Sequence, residues 1–384
     1  MKKNSDFKNI SYTNYEMISM FITILSCFFV SYSPIRIIEI CGSSSVIGIL
    51  FVCLVSFIIY FLIVSFVFKN EFDFLEMIKK TYPKIVQKIL GIIIYVFAIL
   101  YSYILISNLL YNLKASIYTK STIFSLAIFF IVAMYILAKK GFNTIFRIVG
   151  YISYIIIIYI IFLLFMSIYR INIFNFVPIM GEGWINLFGT NLLNIGIFAP
   201  LIFFLFFGGK VVKTKKRNNK KNFSKIMIIF GLTYSLLMFT FIGTIPIELI
   251  SSKYTLMLDL SSLISISPIT LKLTPIMIFV FSFIIFISSA FCILCGLYST
   301  ERLNIVKDYS KYILPTILII SIIFYIEIPL STYNIIVSVF YAYSIFITFI
   351  FPIITLIIYK IRNKGGNRRF EENEKMENII EEVN

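Results

Sequence analysis

Ten long apolar runs, each joined to the next by a short polar connection, decide what this chain folds into. They cover roughly residues 15–38, 44–67, 86–112, 120–138, 145–168, 185–207, 224–249, 273–298, 312–329 and 333–359. A helix needs about 20 apolar residues to cross the hydrocarbon of a bilayer, because each residue rises about 1.5 Å and that layer is about 30 Å thick. Backbone N–H and C=O groups find no water there, so a span satisfies them internally, as a helix does. The chain is 60% hydrophobic, against about 45–50% in ordinary soluble domains. The expected fold class is therefore an all-α polytopic membrane protein of about ten transmembrane helices, numbered here as spans 1 to 10. The bilayer is its first partner.

Three regions follow. Residues 1–13 form a polar cytosolic segment, 14–360 the membrane domain, and 361–384 a polar tail expected to be disordered. The first apolar run is too long for a signal peptide and no small-residue cleavage site follows it, so it reads as a span.

A formal charge of +16 invites a nucleic-acid partner, but its distribution excludes that reading. The basic residues sit in clusters between apolar runs, where cytosolic loops meet anionic lipid. Of the 34 Lys and Arg, 28 fall in one set of alternate connections. The other set holds six: Arg36, Lys114, Lys120, Arg170, Lys253 and Lys272. The positive-inside rule then puts both termini in the cytosol, in a cell membrane, which requires an even number of spans. The densest cluster, Lys213 to Arg217 with Lys220 and Lys221, reads as a topology anchor or as a docking point for a partner subunit.

The residues exclude several chemistries. The chain has no His, which removes His-based catalysis and metal binding. No catalytic residue, metal or cofactor is expected. Cys292 and Cys295 have redox-motif spacing, but inside an apolar run without charge they read as packing. Glu16, Glu39, Glu248 and Glu327 map to span ends. Arg36 and Glu39 lie three apart, on one helical face, as a local pair or part of an outer gate. Arg147 reads as an anchor at the cytosolic face. The middle of span 5 carries Tyr154 and Tyr159 but no Lys, Asp or Glu, which weakens proton-coupled transport.

Ten spans divide into two halves of five. With an odd number per half, the second half enters the bilayer from the opposite side, giving a five-plus-five inverted repeat. Such folds place their site at the midplane, where the first helix of each half is broken. Span 1 carries Ser26-Cys27 and then Ser31-Tyr32-Ser33-Pro34; span 6 carries Asn191, Asn194 and Gly196 and then Pro200. Proline removes a backbone donor and crowds the preceding turn. The substrate-binding residues expected are Ser26, Cys27, Asn194, Gly196 and Ile197 on the broken segments, with Tyr101 and Ser102 of span 3 and Ser288 of span 8 along the sides. Helix N-termini suit a carboxylate and exposed carbonyls suit an ammonium group, so an amino acid needs no buried ionic side chain there. Ser288 and Ser289 also face span 1 and offer hydroxyls to a sodium ion, although serines in helices commonly bond to their own carbonyls.

Three stretches carry a resemblance. Gly141-Phe-Asn-Thr-Ile-Phe-Arg147 opens span 5, Asn175-Phe-Val-Pro-Ile-Met-Gly181 through Gly183 leads into span 6, and Leu258 to Ile266 follows span 7. In order and spacing they resemble the B subunit of bacterial spore germinant receptors, a branch of the amino acid–polyamine–organocation superfamily. Asp259 and Ser262 stand where that family usually has Glu and then Arg, and Ser26-Cys27 where it commonly has Gly. The resemblance implies a transporter-like fold, a small nutrient germinant as ligand, the inner spore membrane as location, and receptor A and C subunits as partners. Amino acids fit the polar groups at the site; nucleosides and sugars remain open. The alternative is an amino-acid permease of the same fold. A membrane-embedded transferase or lipid-carrier enzyme fares poorly, because its usual outer-loop acids and intramembrane His are missing.

Overall fold

The computed structural model describes residues 12–29, 31, 33–67, 73–207, 219–250, 256–263 and 274–362. Most of the 1–13 segment, the Lys213–Arg217 cluster and all but the first two residues of the 361–384 tail lie outside the described residues. So does the end of the Leu258–Ile266 stretch.

The apolar runs fold as helices, and among the described residues there is no strand. Among the described residues, seven helices are long and apolar enough to cross a membrane, or eight with the bent pair Ile185–Phe198 and Leu201–Phe207 counted as one. Asn14–Phe29 and Tyr309–Tyr325 are apolar but shorter. Each of the ten expected runs overlaps these segments, but the run at 15–38 is divided: Asn14–Phe29 takes its first part, and its end belongs to Ser33–Val67, the single 35-residue helix that also holds the run expected at 44–67. The α-helices among the described residues are α1 (Asn14–Ser26), α2 (Ser33–Cys41), α3 (Ser45–Val67), α4 (Phe74–Thr81), α5 (Lys84–Ser116), α6 (Ile123–Lys140), α7 (Phe142–Ser167), α8 (Leu201–Phe204), α9 (Asn219–Thr244), α10 (Ile247–Ile250), α11 (Leu256–Leu263), α12 (Thr274–Arg302), α13 (Ile313–Tyr325) and α14 (Leu330–Ile345).

Local chemistry sets the helix ends. Thr13 caps α1: its hydroxyl accepts the Glu16 N–H, and the Glu16 carboxylate accepts the Thr13 N–H at 2.7 Å. This reciprocal box satisfies two donors that the first helical turn leaves without carbonyl partners. Thr122 caps α6 with a one-way bond, its hydroxyl accepting the Ser125 N–H. Gly141, at φ +82, ends α6 and starts α7, a backbone conformation glycine adopts without steric cost.

The outer surface is apolar in stripes. Leu50, Leu54, Ile58 and Leu62 recur every four residues on α3 and are all exposed. A row of four large aliphatics on one helix face is stable against lipid and insoluble in water. Inside, helices approach closely at small residues: the position of a Cβ on Gly296 in α12 is 2.7 Å from the Ala98 Cβ of α5. Without a hydrophobic drive between helices in lipid, such close backbone packing supplies much of the association energy.

Hydrogen bonds between connections sort into two ends. At one end the Tyr12 hydroxyl donates to the Phe207 carbonyl, Asn222 Nδ2 to Asn14 Oδ1 and Arg362 Nη1 to the Thr81 carbonyl. Arg302 Nη2 meets Asp73 Oδ2 there at 3.5 Å. At the other end Ser43 donates to the Pro178 carbonyl, Asn172 N–H to the Gly243 carbonyl, Tyr111 to the Ile328 carbonyl, and Ile123 N–H to Glu327 Oε1. The first end holds the connections counted as basic in the sequence, and the second holds the others.

Candidate functional site

Span 1 is broken where the sequence placed its polar cluster. α1 ends at Ser26, a short 3-10 turn runs over Cys27–Phe29, and α2 restarts at Ser33. The Phe28 carbonyl has no helical partner, and the chain supplies its own. The Ser31 N–H, Ser31 hydroxyl and Ser33 hydroxyl all donate to it, at 3.2, 2.8 and 3.0 Å. A carbonyl stranded in a low-dielectric interior costs about 1–3 kcal/mol, so these two serines are what make the break tolerable. The Ser33 hydroxyl also lies 2.8 Å from the Tyr234 hydroxyl of α9.

Span 6 is irregular along its length. A π-helical turn covers Ile185–Gly189, a 3-10 stretch covers Thr190–Phe198, and α8 follows Pro200, with a bend of 48° between the halves. Here the Gly196 and Ala199 carbonyls accept the Ala199 and Ile202 N–H groups, at 3.0 and 3.4 Å, and hydroxyls of span 10 reach the same two carbonyls. Thr348 donates to the Ala199 carbonyl at 3.1 Å, and Ser344 lies 3.4 Å from the Gly196 carbonyl. The two breaks lie side by side. Phe230 of α9 stacks on Phe29 and meets Phe198 edge-on, with ring centroids 5.6 Å apart in each case.

The expected site residues are all buried and divide into three groups. Cys27 Sγ lies 3.4 Å from Ser288 Oγ, and the Ser102 hydroxyl donates to the Ser289 carbonyl at 3.2 Å. The Tyr101 ring stands between Phe28 and Phe340, 6.2 and 6.0 Å away. Spans 1, 3 and 8 therefore meet at Cys27, Tyr101, Ser102 and Ser288. The Tyr101 hydroxyl has no hydrogen-bond partner among the described residues. Gly196 belongs to a second group with Tyr341 and Ser344, joined to the first through the Tyr101–Phe340 contact. Asn194 belongs to a third: it donates to Asn191 Oδ1, and Asn191 donates to the Gly48 carbonyl of α3. Ile197 is fully buried in the broken segment. The Ser26 hydroxyl turns to its own helix, on the Ile22 carbonyl at 2.7 Å, and Ser289 does the same on Ile285.

Span 10 is what the sequence reading missed. Tyr341, Ser344 and Thr348 lie on one stripe at helical spacing, three and four residues apart. That pattern is visible in the sequence, but polar stripes occur in many membrane helices, and no local rule names the span that receives them. Arg36 is the second addition. Its guanidinium carbon lies 5.1 Å from the centroid of the Tyr341 ring, within cation–π range. The expected local pair with Glu39 gives way to this longer-range contact.

On the basic face, seven aromatic rings pack as a plug: Tyr12, Phe142, Phe146, Phe203, Phe207, Phe291 and Tyr298. Arg302 adds its Nε to the Tyr298 hydroxyl at 2.8 Å. The five cysteines are buried and unpaired, including Cys292 and Cys295.

A family model described as spore germination protein matches residues 13–334, which takes in both breaks and every expected site residue. No curated protein matches the chain.

Proposed function

Because the chain belongs to the spore germination protein family, we propose that it is the B subunit of a nutrient-germinant receptor. It is a non-enzymatic sensor in the inner spore membrane, with ten spans in two inverted halves and both termini in the cytosol. It binds a small germinant, an amino acid by the chemistry of the site, between the broken segments of spans 1 and 6. It passes the signal to receptor A and C subunits. One observation carries this reading: two interrupted helices lie side by side, and the exchangeable hydroxyls of Ser31, Ser33, Ser344 and Thr348 reach backbone carbonyls at the interruptions, beside the backbone donors there. A polar ligand that offers those carbonyls better donors shifts the equilibrium between packed and rearranged forms. Non-helical backbone at membrane depth persists only where protein or a cavity receives it, which suits a recognition site.

The ten-span count is supported by the two-ended sorting of the loop contacts and by the 28-to-6 distribution of basic residues. The test is deletion of the gene followed by scoring spores against a panel of nutrients. Loss of response to one nutrient, restored by the intact gene, is the expected result. Unchanged germination on every nutrient rejects the proposal, and uptake of labelled amino acid by this chain alone points to a permease instead.

A further inference from the structure

We propose that Arg36 recognises a carboxylate, which makes the germinant a small molecule with a free carboxylate rather than a neutral nucleoside or sugar. The inference rests on the reading that the germinant binds at the two breaks. Arg36 lies three residues into α2, about 4.5 Å of rise beyond its first residue Ser33. Its side chain is half-buried, over the ring of Tyr341. That same ring contacts Gly196, whose Cβ position lies 2.8 Å from Tyr341 Cδ1. One aromatic side chain thus has the span 6 break against its edge and, over its face, a guanidinium carried by the helix that follows the span 1 break.

Two physical features set Arg36 apart. It occupies the first turn of a helix, where the macrodipole opposes a positive charge, so helix stability does not explain it. It also forms no ion pair among the described residues. A half-buried guanidinium stacked on a ring keeps its in-plane N–H donors available, and their fork matches a carboxylate. The N-terminus of α2 adds positive potential at the same place. A carboxylate entering this largely apolar region is favoured by such a counter-charge, which adds to the helix N-terminus. A nucleoside or a sugar gains nothing from it and still has to desolvate the arginine.

The test uses spores carrying the complete receptor and a panel of the twenty amino acids, inosine and glucose. Whichever amino acid triggers germination is then compared with its primary amide, which removes the negative charge and keeps the side chain. The expected result is a response to the acid and little or none to the amide. Arg36→Gln raises the concentration for half-maximal response by about 10- to 100-fold, the range expected for losing hydrogen bonds to a charged group. Arg36→Lys recovers part of the loss. Equal response to acid and amide, response to inosine or glucose alone, response to no amino acid, or an unshifted Arg36→Gln that accumulates normally would each overturn the assignment. Should Arg36→Gln fail to accumulate, the acid–amide comparison on the wild type decides. Gly196→Leu separates the two readings. Loss of response there beside an unshifted Arg36→Gln sinks the arginine alone, and a normal response with Gly196→Leu sinks the site itself.

Discussion

Gly196 in span 6 lies so close to Tyr341 in span 10 that a Cβ on the glycine would sit 2.8 Å from Tyr341 Cδ1 and 3.0 Å from the Tyr341 carbonyl oxygen. The backbone oxygen cannot swing away as a side-chain tip can, so the space is closed to any larger residue. Gly196→Ala should weaken the germination response, and Gly196→Leu should abolish it while the protein still accumulates. Overpacking of this kind costs about 1–3 kcal/mol. Immunoblotting of spore membranes beside a germination assay checks both parts.

Thr348 and Ser344 reach two span 6 carbonyls from another helix, beside the backbone donors that those carbonyls already accept. Thr348→Val keeps the shape and removes the donor to the Ala199 carbonyl. Hydrogen bonds between membrane helices average about 0.6 kcal/mol and reach about 1.7 kcal/mol, so a loss of that order is expected. A lowered midpoint of thermal unfolding in detergent, restored by Thr348→Ser, would show it. A midpoint equal to wild type would mean that the Ala199 carbonyl finds another donor at no cost.

The Tyr101 hydroxyl is buried without a partner among the described residues. Burial of an unmatched hydroxyl costs about 1–3 kcal/mol by protein mutational measures. Tyr101→Phe should therefore stabilise the purified protein, by about 1 kcal/mol, and raise the germinant concentration needed if that hydroxyl meets the ligand. Thermal midpoints and dose–response curves separate the two effects, and a destabilised Tyr101→Phe would count against the first.

The ion pair of Asp73 and Arg302 links the segment before α4 to the end of α12, with Asp73 almost wholly buried and Arg302 about one-third exposed. The expected coupling is modest, about 1 kcal/mol, because the arginine side is solvated. A double-mutant cycle over Asp73→Asn and Arg302→Gln in thermal unfolding measures it. Additive losses would show that the pair contributes nothing beyond its separate contacts.

Reporter tags test the orientation. A tag after Lys216 should report the cytosolic face and one after Lys114 the external face. The reverse pattern would overturn the topology drawn from the 28-to-6 charge distribution.

Much of the architecture was legible before any coordinates. A run of twenty apolar residues has one low-energy form in lipid, so span positions follow from length and composition. The breaks were legible too, because Pro34 and Pro200 and the polar residues before them act on their own turns. Ser26 was legible only as part of a cluster: its hydroxyl turns to Ile22, which no sequence pattern distinguishes from facing a ligand. Asn194 was drawn into the site by position, and the structure ties it to Asn191 and the α3 backbone.

The sequence alone determined the membrane class, the apolar runs, the charge bias between alternate connections and the places where helices stop. These are properties of contiguous residues, set by hydropathy, backbone donors and loop charge. Only the tertiary structure decided which hydroxyls hold the broken carbonyls and which ring Arg36 covers. Ser344 meets Gly196 across 148 positions, and Ser33 meets Tyr234 across 201. Such pairings depend on how whole helices pack, since many polar stripes compete for the same carbonyls and packing selects one.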